Sequence, residues 1–307
     1  MKYKHFKQAL LFKVGSVRYK MIDILLTQPC SFSQLGNRDS QEDSFCPAVS
    51  NEQTSFFVVC DGVGGREHGE VASQLVCQTM ERLLADGDCS TLTAEDVLSL
   101  VEESYHTLYN NRAISPDMAT TLAMMVKTDS GMLLAHLGDT RIYQVRKDKG
   151  VIFCTKDHSL VNDLLDSGQL TPAKAKNHPQ SHVITKCIFV TGDKADYQIP
   201  SITLIRDILP YDIFMLCTDG VYTKLGDDAI SEILSADGVL EDKAREMAAL
   251  CRNSSDNNTA YLVEIADVKG DRLQENNVEY EFQTARKTMC RKFLDFVRKT
   301  IDFVRET

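Results

Sequence analysis

Ser55-Phe56-Phe57-Val58-Val59-Cys60 runs straight into Asp61-Gly62, and the reading of this join decides the fold. A short apolar run closed by Asp-Gly is the pattern of a buried strand that ends in a turn. The pattern returns downstream. Met132–Leu137 leads into Gly138-Asp139, and Ile213–Cys217 leads into Thr218-Asp219-Gly220. In mirror image, Asp256-Asn257-Asn258-Thr259 comes just before the apolar run Ala260–Ile265. Each acid alone is ordinary turn chemistry. Their repetition at strand ends is the feature to explain.

Helical patterns lie between these runs. Glu70–Ala85 places Val71, Leu75, Met80 and Leu84 on one broad face, and Ala94–Tyr109 starts at Thr93, a good N-cap. Leu160–Ser167 stops at Gly168, and Asp228–Leu234 and Leu240–Arg252 add two further helices. Met118–Lys127 and Gly131–Leu137, joined by Thr128-Asp129-Ser130, predict a β-hairpin. Gln169–Ser181 is polar and predicts an exposed excursion. Strands in neighbouring pairs, with helices between the clusters, predict an α+β fold whose antiparallel sheets are covered by helices.

Composition narrows the function. Of 307 residues, 43% are hydrophobic and 25% charged, enough for a large core. Lys plus Arg is 34 and Asp plus Glu is 44, a net charge of −10, which argues against a general nucleic-acid binder. None of the 10 cysteines forms a Cys-x-x-Cys pair, so a thiolate zinc site is not expected. Met1–Lys20 is basic but interrupted by Lys13 and Arg18, and there is no signal peptide or long apolar stretch. A reducing cytoplasm is the expected location. Met21 offers an alternative start.

The acids suggest chemistry. If the strand ends converge, Asp61, Asp139, Asp219 and Asp256 meet near the polar segment Arg38-Asp39-Ser40-Gln41-Glu42-Asp43. Carboxylates gathered in one place repel and take up protons unless cations hold them. Carboxylate and water ligands favour magnesium or manganese over zinc or copper. Two such ions can activate a water and orient a phosphoryl group, and the planar fork of Arg38 suits phosphate oxygens.

Gly36-Asn37-Arg38-Asp39-Ser40-Gln41-Glu42-Asp43 resembles the opening motif of the metal-dependent protein phosphatases, the type 2C serine/threonine class. Asp61-Gly62-Val63-Gly64-Gly65 with Gly69–Ser73 resembles the second motif in its bacterial form. Ala119-Thr120-Thr121-Leu122 and Ala135–Arg141 are similar to the central hairpin. Thr155–Ser159 through His178-Pro179 is similar to the flap. Cys217-Thr218-Asp219-Gly220 and Asp256–Ala260 resemble the last two metal motifs. The likeness spans about Ile22 to Ile265 in the family's order, which makes it specific although each motif alone is weak.

The resemblance implies a central sandwich of two antiparallel sheets flanked by helices, in α-β-β-α layers. It implies hydrolysis of phosphoserine and phosphothreonine in proteins by a hydroxide bridging two Mn2+ or Mg2+ ions, with no phosphoenzyme. Asp61 bridges the two ions, with the Gly62 carbonyl on one of them. Asp219 and Asp256 complete one shell, Glu42 or Asp43 serves the other, and Asp139 with Asp219 matches a third site of bacterial members. Arg38 binds the substrate phosphate; Arg38, Asp61 and Asp219 are thus the catalytic set. An opposing serine/threonine kinase is the implied counterpart. Val63 stands where many animal members carry a histidine proton donor, so metal-bound water is expected to protonate the leaving group. Lys186-Cys187-Ile188-Phe189 departs from the usual Arg-Ala-Leu-Gly and alters the far end of the flap.

The expected organisation is a basic extension over 1–21, a catalytic domain over 22–268 with a flap at about 157–190, and a C-terminal extension over 269–307. The last is an amphipathic helix, with Arg291, Lys292, Arg298 and Lys299 on one side and Phe293, Phe296, Val297 and Ile301 on the other. It suits docking on the catalytic domain, a protein partner or an anionic membrane surface. His136 is expected to pack, His158 to hydrogen-bond structurally and His68 to sit in an exposed loop. Asp86-Gly87-Asp88 superficially resembles the nucleophile motif of haloacid-dehalogenase phosphatases, but it ends a helix instead of a buried strand. Rival functions keep the metals but take a small phosphoester, or use the fold as a regulatory binding module.

Overall fold

The computed structural model describes residues 22–63, 68–85, 87–175, 178–191, 197–270 and 277–280. The strands are β1 (Asp23–Leu26), β2 (Cys30–Gln34), β3 (Asp43–Cys46), β4 (Phe56–Asp61), β5 (Asp117–Thr120), β6 (Leu122–Thr128), β7 (Gly131–Leu137), β8 (Arg141–Arg146), β9 (Gly150–Cys154), β10 (Ile188–Thr191), β11 (Ser201–Ile205), β12 (Ile213–Cys217), β13 (Asn258–Lys269) and β14 (Val278–Tyr280). The helices are α1 (Gly69–Ala85), α2 (Ala94–Asn110), α3 (Leu160–Asp166), α4 (Pro172–Ala175), α5 (Asp219–Ser235) and α6 (Leu240–Cys251).

Two antiparallel sheets form the centre. One runs β1-β13-β12-β8-β9, with β2 also on β13; the other runs β14-β11-β7-β6-β4-β3. The apolar runs are continuous because both faces of each sheet are covered. Along β4, Phe57 and Val59 face the opposing sheet and meet Phe214, Leu216, Tyr261 and Val263. The alternate residues Val58 and Cys60 face Val76, Met80, Val101 and Tyr105 of α1 and α2. On the far side, Met215, Cys217 and Leu262 pack on Ile230, Leu234 and Met247 of α5 and α6. The expected α-β-β-α layering follows from that alternation.

Thr93 caps α2 with a full capping box to Asp96. The hairpin β6–β7 forms as expected, but Met118 belongs to β5, which leaves the large sheet and pairs with β10. The break falls at Thr121, whose N–H is taken by the Asp61 carbonyl. Helix α5 starts at Asp219, well before the predicted 228, and kinks at Gly226, where φ is 77°. The sheet also continues beyond 268, because β14 adds to the edge strand β11. The extension over 1–21 and the amphipathic segment from 281 onward lie outside the described residues. Asp88 holds the Ser90 N–H at the head of a short 3-10 turn, Cys89–Thr91, a capping role. No helix among the described residues is long and apolar enough to cross a membrane.

Candidate active site

Five chain segments end at one end of the sandwich. β4 delivers Asp61, the β7–β8 turn delivers Asp139, and α5 opens with Asp219 directly after β12. Asp256 sits just before β13, and Glu42 just before β3. These five acids line an open pocket of about 550 Å³ with Arg38, Gly62, Val63, Thr121, His182, Ile184 and Asn257.

Backbone bonds fix the approach. The Thr121 hydroxyl accepts the Asp61 N–H at 2.9 Å, and Thr120 Oγ1 donates to the Asp61 carbonyl at 2.8 Å. Gly62 donates its N–H to the Glu42 carbonyl at 3.0 Å. A Cβ on Gly62 would lie 2.5 Å from the Gly69 backbone, so no other residue fits. Likewise, a Cβ on Gly220 would lie 1.9 Å from the Asn257 carbonyl, and this close pass brings Asp219 beside Asp256. Asn257 stitches the Arg38 loop in place. Its Oδ1 accepts the Glu42 N–H at 2.9 Å, and its Nδ2 donates to the Leu35 and Ser40 carbonyls at 2.8 and 2.9 Å.

Glu42 and Asp43 part company here. Glu42 lines the pocket, whereas Asp43 is buried, pairs with Asp61 across β3–β4 and accepts from Thr218 Oγ1 at 2.9 Å. Its other oxygen, Oδ1, is buried with no hydrogen-bond partner. Arg38 donates from Nη2 to Asp256 Oδ2 at 2.6 Å, with both side chains partly exposed. Arg141 grips Asp157 through two bonds of 2.7 Å and lies over the Tyr222 ring, joining β8 to the start of the flap.

The electrostatics favour added positive charge. Burial, then the charges of Asp43, Asp219, Asp139 and Asp256, push the Asp61 carboxyl well above the usual range. Burial, then Asp219 and Asp157, raises Asp139 to about 7. Burial, then Asp256, raises Asp219, and burial raises Asp43 against its threonine hydrogen bonds. Among the described residues no three such groups close into a ready-made metal shell. Arg38 holds Asp256 through a bond of 2.6 Å. An all-oxygen donor set, a buried orphan oxygen and several carboxyls raised by burial and by one another's charge fit hard divalent cations.

The predicted site residues Arg38, Glu42, Asp61, Gly62, Asp139, Asp219 and Asp256 all reach the pocket, and Asp43 lies beneath it. His136 is buried and stacks on His158 with ring centroids 4.6 Å apart. His158 Nδ1 accepts the Gly138 N–H at 3.2 Å, a structural bond beside Asp139. His68 is exposed and faces Glu70. The sequence reading assigned no role to Thr121, Asn257, His182 or Ile184. Thr121 and Asn257 sit inside quoted motifs; for His182, an imidazole within the flap was the available signal.

A family profile described as Protein phosphatase 2C matches residues 33–264. Protein phosphatase PhpP of Streptococcus pneumoniae is 30% identical over 233 residues, covering 74% of this chain and 92% of that protein. The structure of serine/threonine phosphatase Stp1 from Staphylococcus aureus superposes with a TM-score of 0.68 at 26% identity, covering 82% of this chain and 99% of that one. The catalytic domain of PstP, solved in complex with two manganese ions, superposes with a TM-score of 0.64 at 26% identity, covering 79% and 100%.

Proposed function

The chain belongs to the protein phosphatase 2C family, and from that premise we propose how its residues divide the work. It is a serine/threonine protein phosphatase, and the family works with two Mn2+ or Mg2+ ions. Asp61 would serve both ions, and the Gly62 carbonyl would serve one of them. Asp219 and Asp256 would complete one set of ligands, and Glu42, backed by Asp43, would serve the other ion. Asp139, with Asp219, would take a third. When bound, such ions would supply a water of lowered pKa as the nucleophile toward phosphorus, a route that needs no phosphorylated enzyme.

Every other task falls to the chain. Arg38 is partly exposed on the pocket wall, and its fork turns from Asp256 to the phosphoryl oxygens of the substrate. Asn257 and the Thr120–Thr121 pair keep Glu42 and Asp61 in register. Phosphorylated proteins are the substrates and a serine/threonine kinase is the opposing activity. The described cysteines are all free, which supports a reducing cytoplasm. The catalytic domain over 22–268 carries these roles, and the C-terminal extension over 269–307 adds none of them.

The observation that carries this reading is the convergence of five acids, several with carboxyls raised by burial and by one another's charge, on one open pocket beside an arginine. The test is hydrolysis of a phosphothreonine peptide with manganese and with chelator, alongside calorimetric titration of manganese. Metal-dependent turnover with saturable manganese binding is expected. Turnover that survives chelation, or no manganese binding, overturns the reading.

A further inference from the structure

We infer that His182 protonates the departing serine or threonine oxygen, an inference that rests on the phosphatase reading of the same pocket. His182 comes from the flap, while the acids come from strand ends, and all line one cavity. The other lining groups are poor donors. Arg38 does not release its proton, Asn257 does not ionise, and Val63 and Ile184 are apolar. The Thr121 hydroxyl is engaged by Thr140 and by the Asp61 N–H. Carboxylates that hold cations are ionised. An imidazole is the side chain that exchanges a proton readily near neutral pH. Val63, directly after Asp61-Gly62, supplies none.

The flap holds this imidazole at the pocket through its backbone. Just before it, Ser181 donates its N–H to the His178 carbonyl at 3.0 Å. Just after it, the Val183 carbonyl accepts from Leu160 at 2.9 Å, Ile184 bridges to Ser159, and Thr185 donates to the His158 carbonyl at 2.8 Å. The segment therefore rests on α3 and on the stacked histidines beside Asp139, although the His182 ring itself is exposed.

The step balances. Water oxygen bonds to phosphorus; one water proton stays on the phosphate and the other passes to solvent. The bond from phosphorus to the seryl oxygen breaks, and its electron pair stays on that oxygen. The His182 imidazolium gives this oxygen a proton, and the neutral imidazole regains one from solvent.

A nitrophenolate departs without help, whereas a serine alkoxide needs its proton. The full chain and its His182→Gln and His182→Ala variants are assayed with manganese on a phosphoserine peptide and on p-nitrophenyl phosphate. The peptide kcat is expected to fall roughly 10²–10⁴-fold, with a much smaller loss on nitrophenyl phosphate, so that the ratio of the two losses is the readout. Equal losses on both substrates, unchanged peptide turnover, or a raised KM with kcat kept overturns the inference. Failure of the unaltered protein on both substrates overturns the phosphatase reading itself.

Discussion

Strand β12 carries an aspartate at each end, and the two could hardly be treated more differently. Asp212, just before the strand, is fully buried. It accepts from Arg146 Nε and Nη2 at 2.8 Å each, from Gln144 at 2.9 Å and from the Leu209 N–H at 2.9 Å. Asp219, just after the strand, faces Asp61, Asp139 and Asp256 across the pocket. Its Coulombic surroundings are mainly other acids, set against the single Arg38. A buried carboxylate whose oxygens are satisfied by the chain holds structure together. Carboxylates left to repel one another are waiting for charge from outside the chain, and that marks function.

The comparison can be broken from either end. The largest effect belongs to the open pocket. Asp61→Asn and Asp219→Asn should each lower manganese-dependent turnover by orders of magnitude, since loss of metal-assisted activation removes several kcal/mol of barrier lowering. Circular dichroism should show an intact fold. Near-normal turnover in either variant would remove these acids from the site.

At the other end, Arg146→Met should reverse the pattern. It strands the Asp212 charge, and breaking a buried pair of this kind costs about 3–5 kcal/mol of stability. Denaturant unfolding should show that loss, while kcat of the folded fraction stays near that of the unaltered protein. A large kcat defect without destabilisation would contradict the assignment of this cluster to structure.

Arg38 links the two behaviours, because it both pairs with Asp256 and faces the pocket. Arg38→Ala should reduce kcat/KM by roughly 1.5–3 kcal/mol, with Arg38→Lys recovering part of it. Manganese affinity, read by calorimetry, should hold or rise as Asp256 is released. An unchanged kcat/KM would return Arg38 to an ordinary surface charge.

A pH dependence follows as well. The folded pKa of Asp139, about 7, lies above the unfolded carboxylate value of about 3.9. The folded state therefore binds this proton more tightly. Its stabilising contribution is full below about pH 4 and disappears as pH rises toward 7. Metal-free protein should lose thermal stability across that window, and Asp139→Asn should flatten the loss. Added manganese should oppose it. A metal-free melting profile that rises through the window, and is unchanged by Asp139→Asn, would contradict the charge imbalance.

Much of this was legible in the chain. The acids that matter most sit at strand–turn joins, and a strand–turn join is local: an apolar run followed by Asp-Gly announces itself within eight residues or so. Thus Asp61, Asp139 and Asp219 could be picked out, and so could the layered α+β fold, because continuous apolar strands demand cover on both faces. The kinked start of α5 was missed because Gly226 interrupts the helical pattern with a positive φ that glycine, lacking a Cβ, adopts freely.

Adjacency along the chain could not separate Glu42 from Asp43. Strand register decided it: Asp43 pairs with Asp61 and turns inward to Thr218, while the preceding residue stays at the pocket. Tertiary structure also decided that Arg38 meets Asp256, that Asn257 ties down the Glu42 loop, and that His182 lines the same pocket as the acids. Each of these is a contact between segments remote in sequence. Local patterning specifies which strands and turns form, but only the face-to-face packing of the two sheets determines which side chains share a pocket at their ends.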